Sequence, residues 1–380
     1  MPPQRAWSLR WGVAATLLMM TELPAAKPAG LAWENLAAHD GGWTRGDLRW
    51  QLDHVYAPGG HWREWISLEK ARWVLNTGDG GELTLRYRQP EASAESLHAG
   101  SGIHRAATAL WRDLRLPAEA TEDRPFHVAL DPGHIGGDFA AMEGRQWSVG
   151  AGAVFREGEA ALAVCERVAR QLQAMGFRVS LVREANAPVS DADPASFSNA
   201  RDFYVGAEIR ARAAKVNALR PDLVVAVHFN AIGWAQGDAP TTLSELTQET
   251  HAHILLNGSY GAEELADAHQ RLAMLDRLLS GVHFLEAAYA EAFAASIADL
   301  TGLPPFAYGR PQAHRVNANP YAWTRNLLAN RIYRCPVVYL ELHVANSRPF
   351  YERWNAEPEV IIGDYAAVIA QALQSLRSKP

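Results

Sequence analysis

From residue 126 onward, short apolar runs alternate with segments of helical periodicity, and this alternation restricts the fold more than any other feature. The predicted strands are residues 127–130, 177–182, 222–227 and 336–340, and the predicted helices are residues 160–175, 205–219 and 365–376. The run at 222–227 is almost entirely apolar, as expected for a parallel strand that is buried on both faces. Strands that alternate with helices form a twisted, mostly parallel sheet that is flanked by helices. We therefore predict an α/β fold for residues 126–380.

Residues 30–116 differ from the rest, because they are rich in tryptophan and are interrupted by Gly-Gly and Pro-Gly pairs that mark turns. Apolar runs at 73–75 and 83–87 flank a glycine-rich turn, a pattern that is typical of a β-hairpin. The tryptophans include Trp33, Trp43, Trp50, Trp62, Trp65 and Trp73. They either fill the core of a small unit or form a surface that stacks on sugar rings, and the core interpretation is favoured. We predict a small N-terminal β-rich accessory domain.

The first 29 residues have the layout of a secretory signal peptide. Arg5 and Arg10 precede an apolar run at 11–20, and small residues follow it at 25–26. The run is about half of the ~20 residues that a membrane-spanning helix needs, and no later segment is long and apolar enough. We therefore predict that residues 1–29 direct export, and that the mature chain is periplasmic or secreted and has no transmembrane segment.

The charge balance argues against a nucleic-acid partner. The chain has 36 Lys and Arg residues against 42 Asp and Glu residues, a formal net charge of -6, and it has no basic run that would neutralise phosphates. Its two cysteines, Cys165 and Cys335, are not spaced as a zinc ribbon or a redox pair, so His and carboxylate side chains must hold any metal. Both are interpreted as buried thiols, with a disulfide between them left open because an exported protein meets oxidising conditions.

Three polar side chains stand where predicted strands end: His134, His228 and Glu341. Ligands bind at the carboxyl ends of the strands in an open α/β sheet, and Glu157, just ahead of a predicted helix, can reach the same edge. Two neutral imidazoles and one carboxylate form a tetrahedral zinc site with one position open to water, whose pKa zinc lowers to about 7. Glu341 then remains as a general base, and burial at the end of a strand would raise its pKa towards the working pH.

Each of these residues also has an interpretation without a metal. A lone histidine after a strand is more often a loop or core residue, and an acidic residue in the first turn of a helix stabilises the helix dipole. Glu143 and Glu159 also lie near the first candidate ligand and are alternatives to Glu157. His251 and His253 stand beside a strand-like apolar run and can approach the site, but alternation places them on one face, and a solvated edge is the simplest interpretation.

Four segments occur in a distinctive order along the chain. They are the loop Asp131-Pro132-Gly133-His134, then Glu157 with a helix and the run at 176–183, then the run at 222–231 with its end His228-Phe229-Asn230-Ala231, and last the run at 336–341. Together they resemble the zinc-dependent N-acetylmuramoyl-L-alanine amidases that hydrolyse peptidoglycan. The resemblance covers about residues 126–376 and implies a phosphorylase/hydrolase-like sheet.

The resemblance also implies roles for individual residues. His134, Glu157 and His228 match the zinc ligands of the family, and Glu341 matches its catalytic glutamate. Glu157 is preferred over the two alternative glutamates because its distance from Gly176 matches the family spacing. Two further residues, Arg212 and Asn217, fall where the family has an Arg and an Asn on a helix, and both are interpreted as structural.

The sequence departs from the family pattern in three places. Ile135 is inserted after the first ligand, where the family has Gly-Gly, and His343 stands where a Gly is expected after the catalytic glutamate. An insertion at about 232–279 includes a predicted helix at 262–279, and a long insertion beside an active site is more often functional than not. We predict that Asn230 and His343 bind substrate, although His343 is also compatible with a structural loop histidine.

The sequence therefore predicts an exported Zn2+ enzyme that hydrolyses the amide bond between N-acetylmuramic acid and L-alanine in peptidoglycan. One alternative is a zinc hydrolase of another amide or peptide, because the departures alter the walls that select the substrate. The other is a non-catalytic cell-wall-binding protein that uses the tryptophan-rich domain. A regulatory partner is left open, as is a blocking role for the predicted helix at 262–279.

Overall fold

This computed structural model describes residues 31–88, 125–149, 152, 154–232, 242–309 and 313–377. Within these residues, seven strands form one large sheet. In chain order they are β4 (His127–Pro132), β7 (Arg178–Leu181), β8 (Leu223–Asn230), β9 (His253–Leu256), β10 (His314–Arg315), β11 (Ala322–Thr324) and β12 (Val337–Val344). Two smaller sheets consist of β1 (Ile66–Leu68), β2 (Arg72–Asn76) and β3 (Glu82–Arg86), and of β5 (Gln146–Trp147) and β6 (Phe155–Arg156).

The order of the strands in the large sheet is β10-β11-β9-β12-β8-β4-β7. The pairs β12/β8, β8/β4, β4/β7 and β11/β9 are parallel, whereas β9 runs antiparallel to β12 and β10 runs antiparallel to β11. The prediction of a mostly parallel α/β sheet with a small N-terminal β region is therefore confirmed.

Helices cover both faces of this sheet. The α-helices are Arg45–Gln51, Phe139–Met142, Glu157–Ala174, Ala200–Phe203, Ile209–Leu219, Ala262–Ala266, Ala268–Leu279, Val282–Leu300, Leu328–Ile332, Arg348–Ala356 and Pro358–Arg377. The predicted helix at 262–279 is two helices, because Asp267 adopts an extended backbone and its side chain caps the second helix at the amides of His269 and Gln270.

The central strands are apolar because both of their faces are buried. Along β8, Val225 and Val227 belong to the larger core, which the helices Glu157–Ala174, Val282–Leu300 and Pro358–Arg377 complete. Val224, on the opposite face, belongs to a second core. This alternation explains why β8 reads as a continuous apolar run, as parallel strands commonly do.

The N-terminal region is built around the predicted hairpin, since β2 and β3 pair antiparallel. Trp33, Trp43, Trp62 and Trp73 are buried, which confirms the core interpretation for these four side chains. Trp43 Nε1 donates to the backbone oxygen of Leu279, 3.0 Å away, so the region packs against the second half of the insertion. The predicted signal peptide at 1–29 and residues 89–116 of the predicted accessory domain lie outside the described residues, and the division into domains stays a prediction.

Two further expectations concern the cysteines and the membrane. Cys165 and Cys335 are buried free thiols, as the favoured interpretation had them, and no disulfide joins them. Among the described helices, none combines the length and apolar character that a bilayer crossing requires.

Candidate metal centre

Three of the predicted site residues converge on one point at the edge of the large sheet. His134 lies in the loop after β4, Glu157 is the first residue of its helix, and His228 lies within β8. Each has a nitrogen or oxygen that lies within 4.8 Å of the corresponding atoms of the other two. Glu157 Oε1 lies 3.5 Å from His134 Nε2 and 3.3 Å from His228 Nδ1. The side chains are buried, so the cluster can enclose a metal ion.

Glu143 supports the first histidine. Its Oε1 lies 3.3 Å from His134 Nδ1, and its Oε2 accepts a hydrogen bond of 2.9 Å from the amide of Ile135. A carboxylate in this position fixes the orientation of an imidazole whose other nitrogen is a ligand. The inserted Ile135 is therefore held in the loop by the hydrogen bond from its amide to Glu143. Glu143 supports His134 and is not a member of the cluster. Glu159 is also outside the cluster, because its carboxylate accepts from the amide of Gly137 and from Arg156.

Arg212 anchors the backbone of the same loop. Its guanidinium donates to the carbonyl oxygens of Pro132 (2.5 Å) and His134 (2.6 Å), and it pairs with Asp131 (2.9 Å) and Glu208 (2.7 Å). The geometry favours the structural interpretation of this residue. Asn217 is comparable, since its side chain is hydrogen-bonded to the backbone of residues 332 and 334.

Gly133 brings this loop into contact with the second histidine. A Cβ atom at this position would lie 2.4 Å from the imidazole of His228, which is closer than atoms can approach. The His228 ring stacks on Tyr339, with the ring centroids 4.2 Å apart, and therefore has little room to move. The Pro-Gly-His loop can close over the ring only because residue 133 has no side chain.

The electrostatics suit a metal ligand set, which needs neutral imidazoles and an ionised acid. Burial lowers the pKa of His134 well below its ordinary value, so the imidazole is neutral. Burial by itself would raise the pKa of Glu157, but the close contact with the imidazole of His134, the hydrogen bond with His228 and the positive charge of Arg145 together lower it to about 2. Glu157 is therefore ionised at neutral pH.

Glu341 lies beside this cluster. It is in β12, where its backbone pairs with His228 of β8 on one side and with His253 of β9 on the other. The pKa of Glu341 is raised to about 7, mainly by burial and to a smaller extent by the negative charge of Glu157. His228 and Glu341 lie inside their strands, and not after them as predicted, because β8 extends to Asn230 and β12 to Val344.

A cleft opens over these residues. Its walls are formed by His134, Arg145, Glu157, His228, Phe229, Asn230, Ala231, Arg325, Leu327, Tyr339 and Glu341. Asn230, a predicted substrate-binding residue, is thus in the wall. The sequence interpretation missed Arg145, Arg325 and Tyr339. Tyr339 had a signal, because it stands two residues before Glu341 and alternation places both on one face of β12.

The structure does not bring His343, the other predicted substrate-binding residue, into the cleft wall. The register of β12 against β8 shifts between Glu341 and Val344, and His343 adopts a φ of 79°. Its buried ring instead packs near the rings of Phe350 and Tyr365. The interpretation of His343 as a structural loop histidine fits this placement, and its role in binding substrate stays a prediction.

The solvated-edge interpretation of His251 and His253 is wrong. β9 lies between β11 and β12 and not at the edge of the sheet, and the imidazoles of His253 in this strand and of His251 just before it are both buried. His251 Nε2 lies 2.7 Å from Asn230 Nδ2, and His253 Nε2 lies 3.3 Å from Glu341 Oε2. Both histidines therefore adjoin the cleft. Burial lowers the pKa of His253 to about 3, so its ring is neutral.

The insertion contributes β9 to this site, but its helices are elsewhere. None of residues 262–279 is in the wall of the cleft. They pack instead on the N-terminal region, where Arg271 donates to the carbonyl oxygen of Thr77 over 2.6 Å. These contacts give no support to the hypothesis that residues 262–279 block the site. Residues 233–241 of the insertion lie outside the described residues.

The fold and the site define an α/β protein of hydrolase type, in which a buried His-Glu-His cluster that could hold a metal ion lies beside the carboxylate of Glu341. The family model described as N-acetylmuramoyl-L-alanine amidase matches residues 128–253, and it confirms the predicted family resemblance for this segment. No curated protein matches the sequence.

Several solved structures are similar to this chain. The CwlD amidase from Clostridioides difficile, in complex with the GerS lipoprotein, is 12% identical with a TM-score of 0.43 and covers 67% of this chain and 98% of its own. The amidase Ami1 from Mycobacterium smegmatis is 20% identical with a TM-score of 0.41 and covers 66% and 95%. The catalytic domain of the amidase CwlV from Bacillus (Paenibacillus) polymyxa var. colistinus is 17% identical with a TM-score of 0.40 and covers 67% and 99%.

Proposed function

We propose that this chain is an exported, zinc-dependent N-acetylmuramoyl-L-alanine amidase that hydrolyses the amide bond between N-acetylmuramic acid and L-alanine in peptidoglycan. The observation that carries the proposal is the buried cluster of His134, Glu157 and His228 with Glu341 beside it in one cleft. The family match over residues 128–253 supports the choice of substrate. The layout of residues 1–29 supports export to the periplasm or beyond, where peptidoglycan lies.

The donor set fits zinc. Two imidazoles and one carboxylate leave a fourth position open, which is the arrangement of catalytic zinc sites, and the neighbouring Glu143 supplies the support that a ligating histidine needs. When bound, zinc lowers the pKa of water and polarises the carbonyl group of an amide. His134, Glu157 and His228 would hold the ion.

The chain itself supplies the proton transfers. The carboxylate of Glu341 takes a proton from the attacking water while the water oxygen forms a bond to the amide carbon. The same carboxyl then delivers this proton to the leaving amide nitrogen as the carbon-nitrogen bond breaks, so Glu341 ends in its original state. A pKa of about 7 suits a group that must both accept and donate a proton near neutral pH.

The test is hydrolysis of purified cell walls by the zinc-loaded protein. We expect release of stem peptides that begin with a free L-alanine amino group, and we expect Glu341→Gln to abolish this release while the fold is retained. Glu352→Gln, in an exposed ion pair with Arg348, is the matched control and should leave the rate unchanged. Full activity of Glu341→Gln would remove the proposed mechanism.

The two alternative functions are distinguished with defined substrates. Hydrolysis of simple acyl-amino acids in preference to muropeptides would indicate a zinc hydrolase of another amide. Binding to insoluble peptidoglycan without any cleavage would indicate a wall-binding protein, although the burial of four N-terminal tryptophans removes most of the stacking surface that this function would use.

A further inference from the structure

His253 contacts the proposed catalytic glutamate. Its Nε2 lies 3.3 Å from Glu341 Oε2, across the antiparallel pair of β9 and β12 in which the two residues are direct partners. Within the described ranges, no other Lys, Arg or His side chain has a nitrogen within 4.0 Å of the Glu341 carboxylate. The imidazole is fully buried, so water does not compete for this contact.

Tyr308 fixes the imidazole from the other side. The Tyr308 hydroxyl lies 3.0 Å from the same Nε2 atom. The guanidinium of Arg325 in turn lies 5.9 Å from the centre of the Tyr308 ring. Tyr308 and Arg325 both lie beyond residue 253, where the family-model match ends. The residues that hold His253 in contact with Glu341 therefore lie outside the segment that the family model matches.

The other ring nitrogen indicates which form of His253 is present. Nδ1 is buried and has no hydrogen-bond partner among the described residues. A buried N–H without a partner is rarer than a buried acceptor without one, so the proton is on Nε2, where it is hydrogen-bonded to the hydroxyl of Tyr308 with Glu341 Oε2 as the second oxygen nearby. A nitrogen left without a partner also costs free energy, which a purely structural apolar side chain at this position would avoid.

We propose that His253 is a positioning residue for Glu341: its imidazole, fixed by Tyr308, lies with Nε2 against one carboxylate oxygen and leaves the other available to the substrate. This inference rests on the proposed function, because Glu341 must be the group that moves the proton. Positioning of this kind acts on the rate of the chemical step and not on the binding of substrate.

The kinetic test compares two replacements of His253 in the zinc-loaded protein. His253→Leu removes the N–H, and we expect kcat to fall about 10- to 100-fold with KM changed less than about twofold, since small displacements of a reacting group have costs of this size. His253→Gln keeps a neutral N–H of similar reach and should recover most of the loss. His283→Phe, which replaces another buried neutral histidine that is not in the cleft wall, should leave kcat unchanged. Equal losses in both His253 variants, or a wild-type rate in His253→Leu, would overturn the proposal.

A spectroscopic test does not depend on activity. In protein with 15N-labelled histidine, we expect the His253 resonances to show the Nε2–H form and to move on Glu341→Gln, whereas those of His283 stay in place. An Nδ1–H form, or a His253 signal that Glu341→Gln leaves unchanged, contradicts the contact. An inactive wild-type protein with a responsive His253 signal would refute the proposed function but support the contact between the two side chains.

Discussion

The stability of the first ligand loop should depend on Arg212. This guanidinium is almost fully buried and satisfies two carboxylates, Asp131 and Glu208, together with the carbonyl oxygens of Pro132 and His134. Arg212→Met keeps much of the side-chain volume but removes the charge and every donor. The carboxylates then remain buried without their cation, which is the situation that makes breaking a buried ion pair cost about 3–5 kcal/mol.

The structure places the expected loss towards the middle of that range. Asp131 keeps a hydrogen bond of 2.6 Å from the hydroxyl of Tyr333, and Glu208 keeps the amides of Val189 and Ser190 at 2.8 and 3.0 Å. These partners reduce the cost of the two charges. Two carbonyl oxygens also lose donors, at about 1 kcal/mol each. We therefore expect the free energy of unfolding to fall by about 4 kcal/mol.

The assay is urea unfolding of the metal-free protein, followed by tryptophan fluorescence. Arg348→Met removes an exposed helical ion pair with Glu352 and should cost about 0.5 kcal/mol or less. Because Arg212 anchors the carbonyl group of His134, we also expect Arg212→Met to weaken zinc binding by about 10- to 100-fold. A loss of less than about 1 kcal/mol for Arg212→Met, similar to the surface control, would show that the buried network does not stabilise the loop.

Three other changes have defined outcomes. Gly133→Ala should abolish zinc binding, measured by titration, because its Cβ would overlap the His228 ring; retained affinity would contradict the close contact. Arg271→Ala should lower the free energy of unfolding by about 2–3 kcal/mol, since a buried charged donor to Thr77 is lost, and limited proteolysis should then cut first near residues 65–81. Burial lowers the pKa of His283 to about 3, so between this value and about 6.5 only the unfolded state takes up the proton, and stability falls as the pH falls. His283→Phe should reduce the difference in unfolding free energy between pH 8 and pH 4.5 by about 2.5 kcal/mol, and an unchanged difference would show that His283 is protonated in the folded state.

The sequence was sufficient to predict the strands that hold the ligands. Parallel strands buried on both faces must be apolar throughout, so the apolar run at 222–227 stood out, and His228 follows it directly. The direction of the chain then fixed which edge of the sheet carries His134 and His228. The choice of Glu157 came from the family spacing, since Glu143 and Glu159 have the same chemistry.

The neighbours of the site could not be predicted, because they depend on pairings between distant segments. β9 resembles an edge strand when read alone, and it becomes an interior strand only because β11, more than sixty residues later, pairs with it. His343 lies outside the cleft wall for a local reason. Alternation places it on the same face as Glu341, but the register shift after Glu341 turns the chain, and the sequence carries no clear signal for a shift of this kind.

The most direct test of the account is the metal content of the purified protein. We expect about one zinc per chain, lost in His134→Ala and His228→Ala and retained in Glu341→Gln, as three ligands with a free carboxylate beside them require. Wild-type protein that binds no zinc under saturating conditions, or undiminished zinc in the two histidine variants, would contradict the assignment of His134, Glu157 and His228 as a metal centre.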